Sequence, residues 1–285
     1  MLTQTEKGRV FSALHKRNRA FIIPNPWDIG TARLLAHLGF EALATTSAGY
    51  AFSVGKRDNT ISRDEMMAHV SAIASATDLP VSADLGNGFG HAPEIVAETI
   101  RLAAATGLAG GSIEDATGED ANGKAATTRP PIGTPIYEHE HAVERVRAAV
   151  EAVRALPFTF VLTARAENYL HGRPDLGDTI KRLQAYQEAG ADVLYAPGLV
   201  SKEDIAAVVS AVDRPVNVVM GLQGVQLNLA ELSAIGVRRV SVGSALSRAA
   251  LGAFLRAAHE MKESGTFTFA EEAVSYRDIS AMFKA

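Results

Sequence analysis

Eight short runs of apolar and β-branched residues punctuate the chain, at 21–26 (FIIPNP), 41–47 (EALATTS), 80–85 (PVSADL), 110–115 (GGSIED), 158–165 (FTFVLTAR), 192–198 (DVLYAPG), 215–221 (PVNVVMG) and 238–244 (RRVSVGS). Most are continuous rather than alternating, as parallel strands covered on both faces are. Between them the hydrophobic period lengthens. In 137–156, Val143, Val146, Val150, Val153 and Leu156 recur at spacings of three and four, which predicts a helix. Asp64–Thr77, Pro93–Thr106, Leu176–Ala189 and Ser201–Val212 read the same way, with Ser62 and Ser201 placed as N-caps. Glycines in HLGF, ATGLAG, EAGAD and AIGV fall where a helix stops before a strand. Strands alternating with helices predict βαβ units, and eight of them predict a (β/α)8 TIM-type barrel. We expect one barrel domain over 1–285, with further helices at 3–17 and 270–283 that cap the barrel or reach a partner.

One stretch has no period. Residues 116–135, ATGEDANGKAATTRPPIGTP, are rich in Gly, Pro, Thr and charge. A loop this long in a compact domain is usually functional. It follows the fourth strand and so leaves the face where barrels keep their chemistry, which predicts a mobile lid.

Composition narrows the class. With 47% hydrophobic and 21% charged residues the chain can bury a sizeable core, and a net charge of −4 without a basic run argues against nucleic-acid or anionic-membrane partners. No apolar stretch reaches the length of a membrane span, and the opening residues are too polar for a signal peptide, so a cytoplasmic location is expected. The absence of cysteine excludes disulfides, thiolate–zinc sites and Cys nucleophiles. No lysine stands at a strand tip, which disfavours a Schiff-base aldolase, and His139 and His141 in EHEH do not share a helix face.

The segment PVSADLGNGFG (80–90) poses the functional question. His91 stands where a dinucleotide fingerprint needs its last glycine, and no Gly-Lys-Ser/Thr follows, so it is not a phosphate-cradling loop. What remains is Asp84 at the end of strand three. Glu114 and Asp115 end strand four, and Arg165, Glu167 and Asn168 end strand five. Carboxylates on one rim suit Mg²⁺, and an arginine suits a substrate carboxylate. ATTSAGYA offers backbone N–H groups to a developing oxyanion, and Trp27 is a candidate for lining the pocket.

In order, TTSAGYAFSVGKRD, PVSADLGNGFG, SIED, TARAEN and AYQEAGADVLYAPG resemble the motifs of the isocitrate lyase/phosphoenolpyruvate mutase superfamily over roughly residues 20 to 260. The resemblance implies a (β/α)8 barrel that uses Mg²⁺ (or Mn²⁺) to break or form C–C or P–C bonds beside an enolate. It also implies a homo-oligomer, a dimer of dimers, with the C-terminal segment 245–283 swapped between neighbours. Carried over, it gives Asp84 as the metal ligand and Glu114 as the acid holding the metal's waters. Arg165 falls on the substrate carboxylate, Thr45, Thr46, Ser47, Ala48 and Gly49 on the 2-oxo acid, and Asp58 near the reacting centre. Glu167 and Asn217 complete the candidate substrate-binding set. Arg165-Ala-Glu167 looks closer to the mutase and phosphonopyruvate hydrolase branches. Two positions depart from the family. Gly86 replaces a second acid, a loss that Asn87 could make good. The lyases' Lys-Lys-Cys-Gly-His lid is absent, and of the mutases' Lys-Thr-Asn-Ser lid only Asn122 and Lys124 are candidates for playing parts.

The expected function is a Mg-dependent C–C lyase or decarboxylase acting on a small 2-oxo or 2-hydroxy carboxylate. P–C bond chemistry is the first alternative, and a barrel that binds a 2-oxo acid without turnover is the second.

Overall fold

A computed structural model describes residues 2–118, 135–222, 224–225 and 227–283. Its strands are β1 (Phe21–Ile23), β2 (Leu43–Ala44), β3 (Val81–Asp84), β4 (Gly110–Glu114), β5 (Val161–Arg165), β6 (Val193–Tyr195), β7 (Val216–Val219) and β8 (Arg239–Ser241). All eight expected runs contain one. They form a single parallel sheet in the order β1-β8-β7-β6-β5-β4-β3-β2. The ring closes where the Ala44 N–H donates to the Pro24 carbonyl at 3.1 Å, making a (β/α)8 barrel.

Around it run α1 (Gln4–His15), α2 (Ile29–His37), α3 (Ser47–Ser53), α4 (Arg63–Ser75), α5 (Pro93–Ala104), α6 (His139–Arg154), α7 (Leu176–Ala189), α8 (Lys202–Ala211), α9 (Leu229–Ala234), α10 (Ala245–Ser264) and α11 (Tyr276–Met282). The expected caps form. Ser62 accepts from the Glu65 N–H and Glu65 returns a bond to the Ser62 N–H, while Ser201 accepts from the Asp204 N–H. The helix expected over 270–283 is instead two pieces, a 3₁₀ turn at Thr268–Glu271 and α11. Ser275 causes the break: it is extended and caps a new helix by accepting from the Asp278 N–H. Most of the expected lid, residues 119–134 with Asn122 and Lys124, lies outside the described residues.

The helix α1 seals the barrel floor. Phe11 and Leu14 pack with Phe21, Val161 and Val193 in a small core of their own. Gly8 permits the approach, since a Cβ there would lie 2.0 Å from the Thr159 carbonyl oxygen. At the other extreme α10 buries only Ser247 and exposes Leu251, Phe254 and Leu255. Among the described residues no helix is long and apolar enough to cross a membrane.

Candidate active site

At the carboxyl ends of the strands a cavity of about 280 Å³ opens, and its walls carry most of the candidates. Thr45, Thr46, Ser47 and Ala48 line it from the end of β2, Asp58 from the loop beyond, and Asn217 from β7. Asp84, Glu114 and Arg165, the last residues of β3, β4 and β5, face the same space, with Glu167 beside them. Alternation along a strand sends every second side chain inward, and the register sets Asp84 beside Ser112 and, one inward position further on, Glu114 beside Arg165.

Arg165 is the hub. Its NH1 lies 3.1 Å from Asp84 Oδ1, its NH2 3.1 Å from Glu114 Oε2 and its Nε 2.7 Å from Glu167 Oε1. Burial opposes its charge, but Glu167, Glu114 and Asp84 more than offset that and hold it protonated. The acids outnumber it. Burial pushes Glu114 well up, with Arg165 opposing and Glu167, Asp84 and Asp58 adding to the rise. Burial likewise raises Glu167, to about 7, against the pull of Arg165. Asp58 is raised by its withdrawal from water and then by Asp84.

Backbone and hydroxyl groups fix these acids. The Ser47 N–H donates to Asp84 Oδ2 at 3.1 Å, and Ser47 Oγ donates to Asp58 Oδ1 at 3.2 Å. Thr45 Oγ1 accepts from the Asp84 N–H at 3.0 Å. A second cavity, of about 400 Å³, adjoins the first and shares Ser47, Asp58 and Glu114 with it.

Some candidates stand elsewhere. Gly49 does not line the cavity: it is buried where a Cβ would meet Thr46, Trp27 and Ser247 at 2.6, 3.1 and 3.3 Å. Trp27 is likewise absent from the cavity walls. Asp115 points out of the barrel and accepts from the Glu167 N–H, Arg182 and the Tyr186 hydroxyl, so it braces β4 and β5 against α7. Asn168 donates to Asp178, also away from the cavity. Asn87 lines the adjoining cavity, with its amide donating to the Thr117 carbonyl and accepting from the Phe89 N–H. Gly86 has φ +52°, and space around the position of a Cβ is open. His141 is half-buried with Nε2 3.0 Å from the His91 carbonyl oxygen.

Among the wall residues that the sequence reading missed are Tyr195, His171 and Arg239. Tyr195 stands under Arg165, whose guanidinium lies 5.1 Å from its ring centre. His171 comes from the loop after β5, and Arg239 is the first residue of β8. The arginine was the detectable one, since a cation within a buried strand needs a reason.

Three carboxylates, of Asp84, Glu114 and Glu167, contact one guanidinium and Asp58 lines the same cavity, so acids outnumber cations there and supply the oxygen donors a hard divalent ion takes. Among the described residues no group of three or more His, Asp or Glu could hold a metal by itself; Mg²⁺ is commonly held by one or two carboxylates, with water and substrate completing its shell. The residues fit such an ion.

The sequence profile of the phosphoenolpyruvate phosphomutase family matches residues 11–262. The chain belongs to that family. As a member it is similar to the 2,3-dimethylmalate lyase of Eubacterium barkeri, 29% identical over 75% of this chain and 72% of the relative. It is also 28% identical to the oxaloacetate decarboxylase of Pseudomonas aeruginosa (strain LESB58), over 87% of this chain and 83% of the relative. A crystal structure from Burkholderia cenocepacia J2315, of a protein described as a lyase/mutase, is 64% identical and superposes with a TM-score of 0.92 over 99% of this chain and 97% of that one.

Proposed function

We propose that this member of the family is a divalent-metal-dependent lyase. It would break the C–C bond next to the carbonyl or hydroxyl carbon of a small 2-oxo or 2-hydroxy carboxylate. The observation that carries this reading is the acid-rich rim, in which Asp84, Glu114 and Glu167 converge on Arg165 beside the N–H groups that end β2. Such a rim suits a divalent cation, whose charge offsets the excess of the acids over Arg165, and the cation in turn attracts an anionic substrate.

Asp84 would hold Mg²⁺ (or Mn²⁺), with Glu114 ordering its waters. When bound, the ion withdraws charge from the substrate oxygen as the neighbouring bond breaks. The chain's own groups do the rest. Ser47 fixes Asp84 through its N–H and Asp58 through its hydroxyl, so both acids are set before substrate arrives. Arg165 supplies positive charge beside the substrate carboxylate, with Glu167 holding its Nε edge in place. Asp58, its carboxyl raised, stands at the mouth where a proton would be exchanged. The exposed apolar face of α10 supports assembly as a dimer of dimers.

The lyase and decarboxylase activities named for the two relatives support C–C chemistry. The Arg165-Ala-Glu167 pairing favours P–C chemistry as the second reading. A panel of oxaloacetate, substituted malates and phosphonopyruvate with Mg²⁺ separates them: turnover of the carbon acids alone is expected, and consumption of phosphonopyruvate alone overturns the first reading.

A further inference from the structure

The middle of this barrel is polar. Barrels of this class are ordinarily filled by layers of branched apolar side chains. Here Phe11, Phe21 and Val193 close the bottom. Above them the cavity runs inward between Ser82, Ser112, Asn217 and Ser241 and reaches Arg239.

Arg239 is only 5% exposed. Its Nε donates to Asn217 Oδ1 at 2.8 Å and its NH2 to Thr163 Oγ1 at 3.0 Å. Its NH1 lies 3.4 Å from Nε2 of His15, whose Nδ1 is bonded to the Phe11 carbonyl oxygen and so carries the ring proton. Every one of these partners is neutral. Arg165, two residues above Thr163 on β5, has three carboxylates, and the buried Arg182 has two. Arg239 has none among the described residues. A guanidinium has five N–H donors and stays charged at neutral pH, so Arg239 keeps both spare donors and an uncompensated charge. Burying such a charge is unfavourable unless an anion reaches it.

We propose that Arg239, with Asn217 and Ser241, forms an anion subsite inside the barrel for the second carboxylate of a diacid. The subsite extends the function proposed above and rests on it: the 2-oxo or 2-hydroxy head sits at Asp84 and Ser47, and the distal carboxylate points down the barrel. Thr163, which Arg239 touches, and Arg165 are neighbouring inward positions on β5, about 7 Å apart along the strand. That step suits a four-carbon diacid, whereas a monoacid of the same length leaves Arg239 unpaired.

Calorimetric titration of the full-length protein with Mg²⁺ tests this, using racemic malate and racemic 2-hydroxybutyrate, which differ in a carboxylate against a methyl. Malate is expected to bind at least about tenfold more tightly. Arg239→Gln, which retains an amide donor, is expected to bring malate to the level of 2-hydroxybutyrate and to leave the latter unchanged. Equal binding of the two acids to the unsubstituted protein overturns the subsite and leaves the proposed function standing, with no variant required. An equal loss of both acids in Arg239→Gln also overturns it, since the arginine is then structural. Binding of neither acid overturns the proposed function and the subsite together.

Discussion

The backbone N–H of Ser47 donates to Oδ2 of Asp84 at 3.1 Å, tying the end of β2 to the end of β3. The other carboxylate oxygen of Asp84 faces NH1 of Arg165, also at 3.1 Å. Asp84 is thus held from two sides by groups that are set when the barrel closes. A carboxylate fixed in this way loses little freedom when it takes a cation.

Asp84→Ala is expected to abolish metal-dependent turnover, by at least about a hundredfold in kcat, while the barrel stays folded. The fold tolerates it because Arg165 keeps Glu114 and Glu167. Steady-state kinetics with far-UV circular dichroism check both halves. Unchanged turnover would remove Asp84 from the metal.

Asp115 predicts the opposite profile. It is buried and accepts from Arg182, Tyr186 and the Glu167 N–H. Asp115→Ala leaves the Arg182 charge short of a partner, and we expect a loss of about 3–5 kcal/mol in urea unfolding. A loss below about 1 kcal/mol would contradict the bracing role.

These two acids show where the sequence was legible. The eight strands, the barrel and the rim positions of Asp84, Glu114 and Arg165 follow from periodicity and from which residues end each run. Asp115 did not, because a one-residue step decides whether an acid faces the cavity or the helices, and strand ends are uncertain by more than that. Gly49 was invisible as a packing residue because its role depends on Trp27 and Ser247, which are distant in sequence. The break at Ser275 was hidden because a cap inside a helical period has no periodic signature. Arg239 was passed over because a strand run was read for its apolar residues alone.

Acid stability should report His15. Burial, and then Arg239, lower it to about 3, from an ordinary value near 6.5. The unfolded chain therefore takes up a proton that the folded chain refuses, so stability is full above pH 6.5 and falls as pH drops towards 3. His69, stacked on Tyr50 and lowered to about 4 by burial, acts in the same direction. Each contributes a slope approaching about 1.4 kcal/mol per pH unit inside its window. His15→Gln should reduce the slope between pH 6 and 4 by about one proton's worth in urea titrations at stepped pH. An unchanged slope would contradict a neutral, buried His15.

The exposed face of α10 predicts assembly. Phe254 is 66% exposed and Leu255 54%, a contiguous apolar surface that association would cover. Sedimentation velocity is expected to give a tetramer, and Phe254→Asp to shift it towards smaller species. A monomer at micromolar concentration would refute the helix swap.

The central claim is that the rim is a metal-dependent site for a 2-oxo or 2-hydroxy acid despite Gly86. Oxalate, a flat stand-in for the planar enolate form of such an acid, tests it most directly by calorimetry with and without Mg²⁺. The account predicts tight binding that requires the metal and is lost in Asp84→Ala. Oxalate binding that is absent, or indifferent to Mg²⁺, would contradict it.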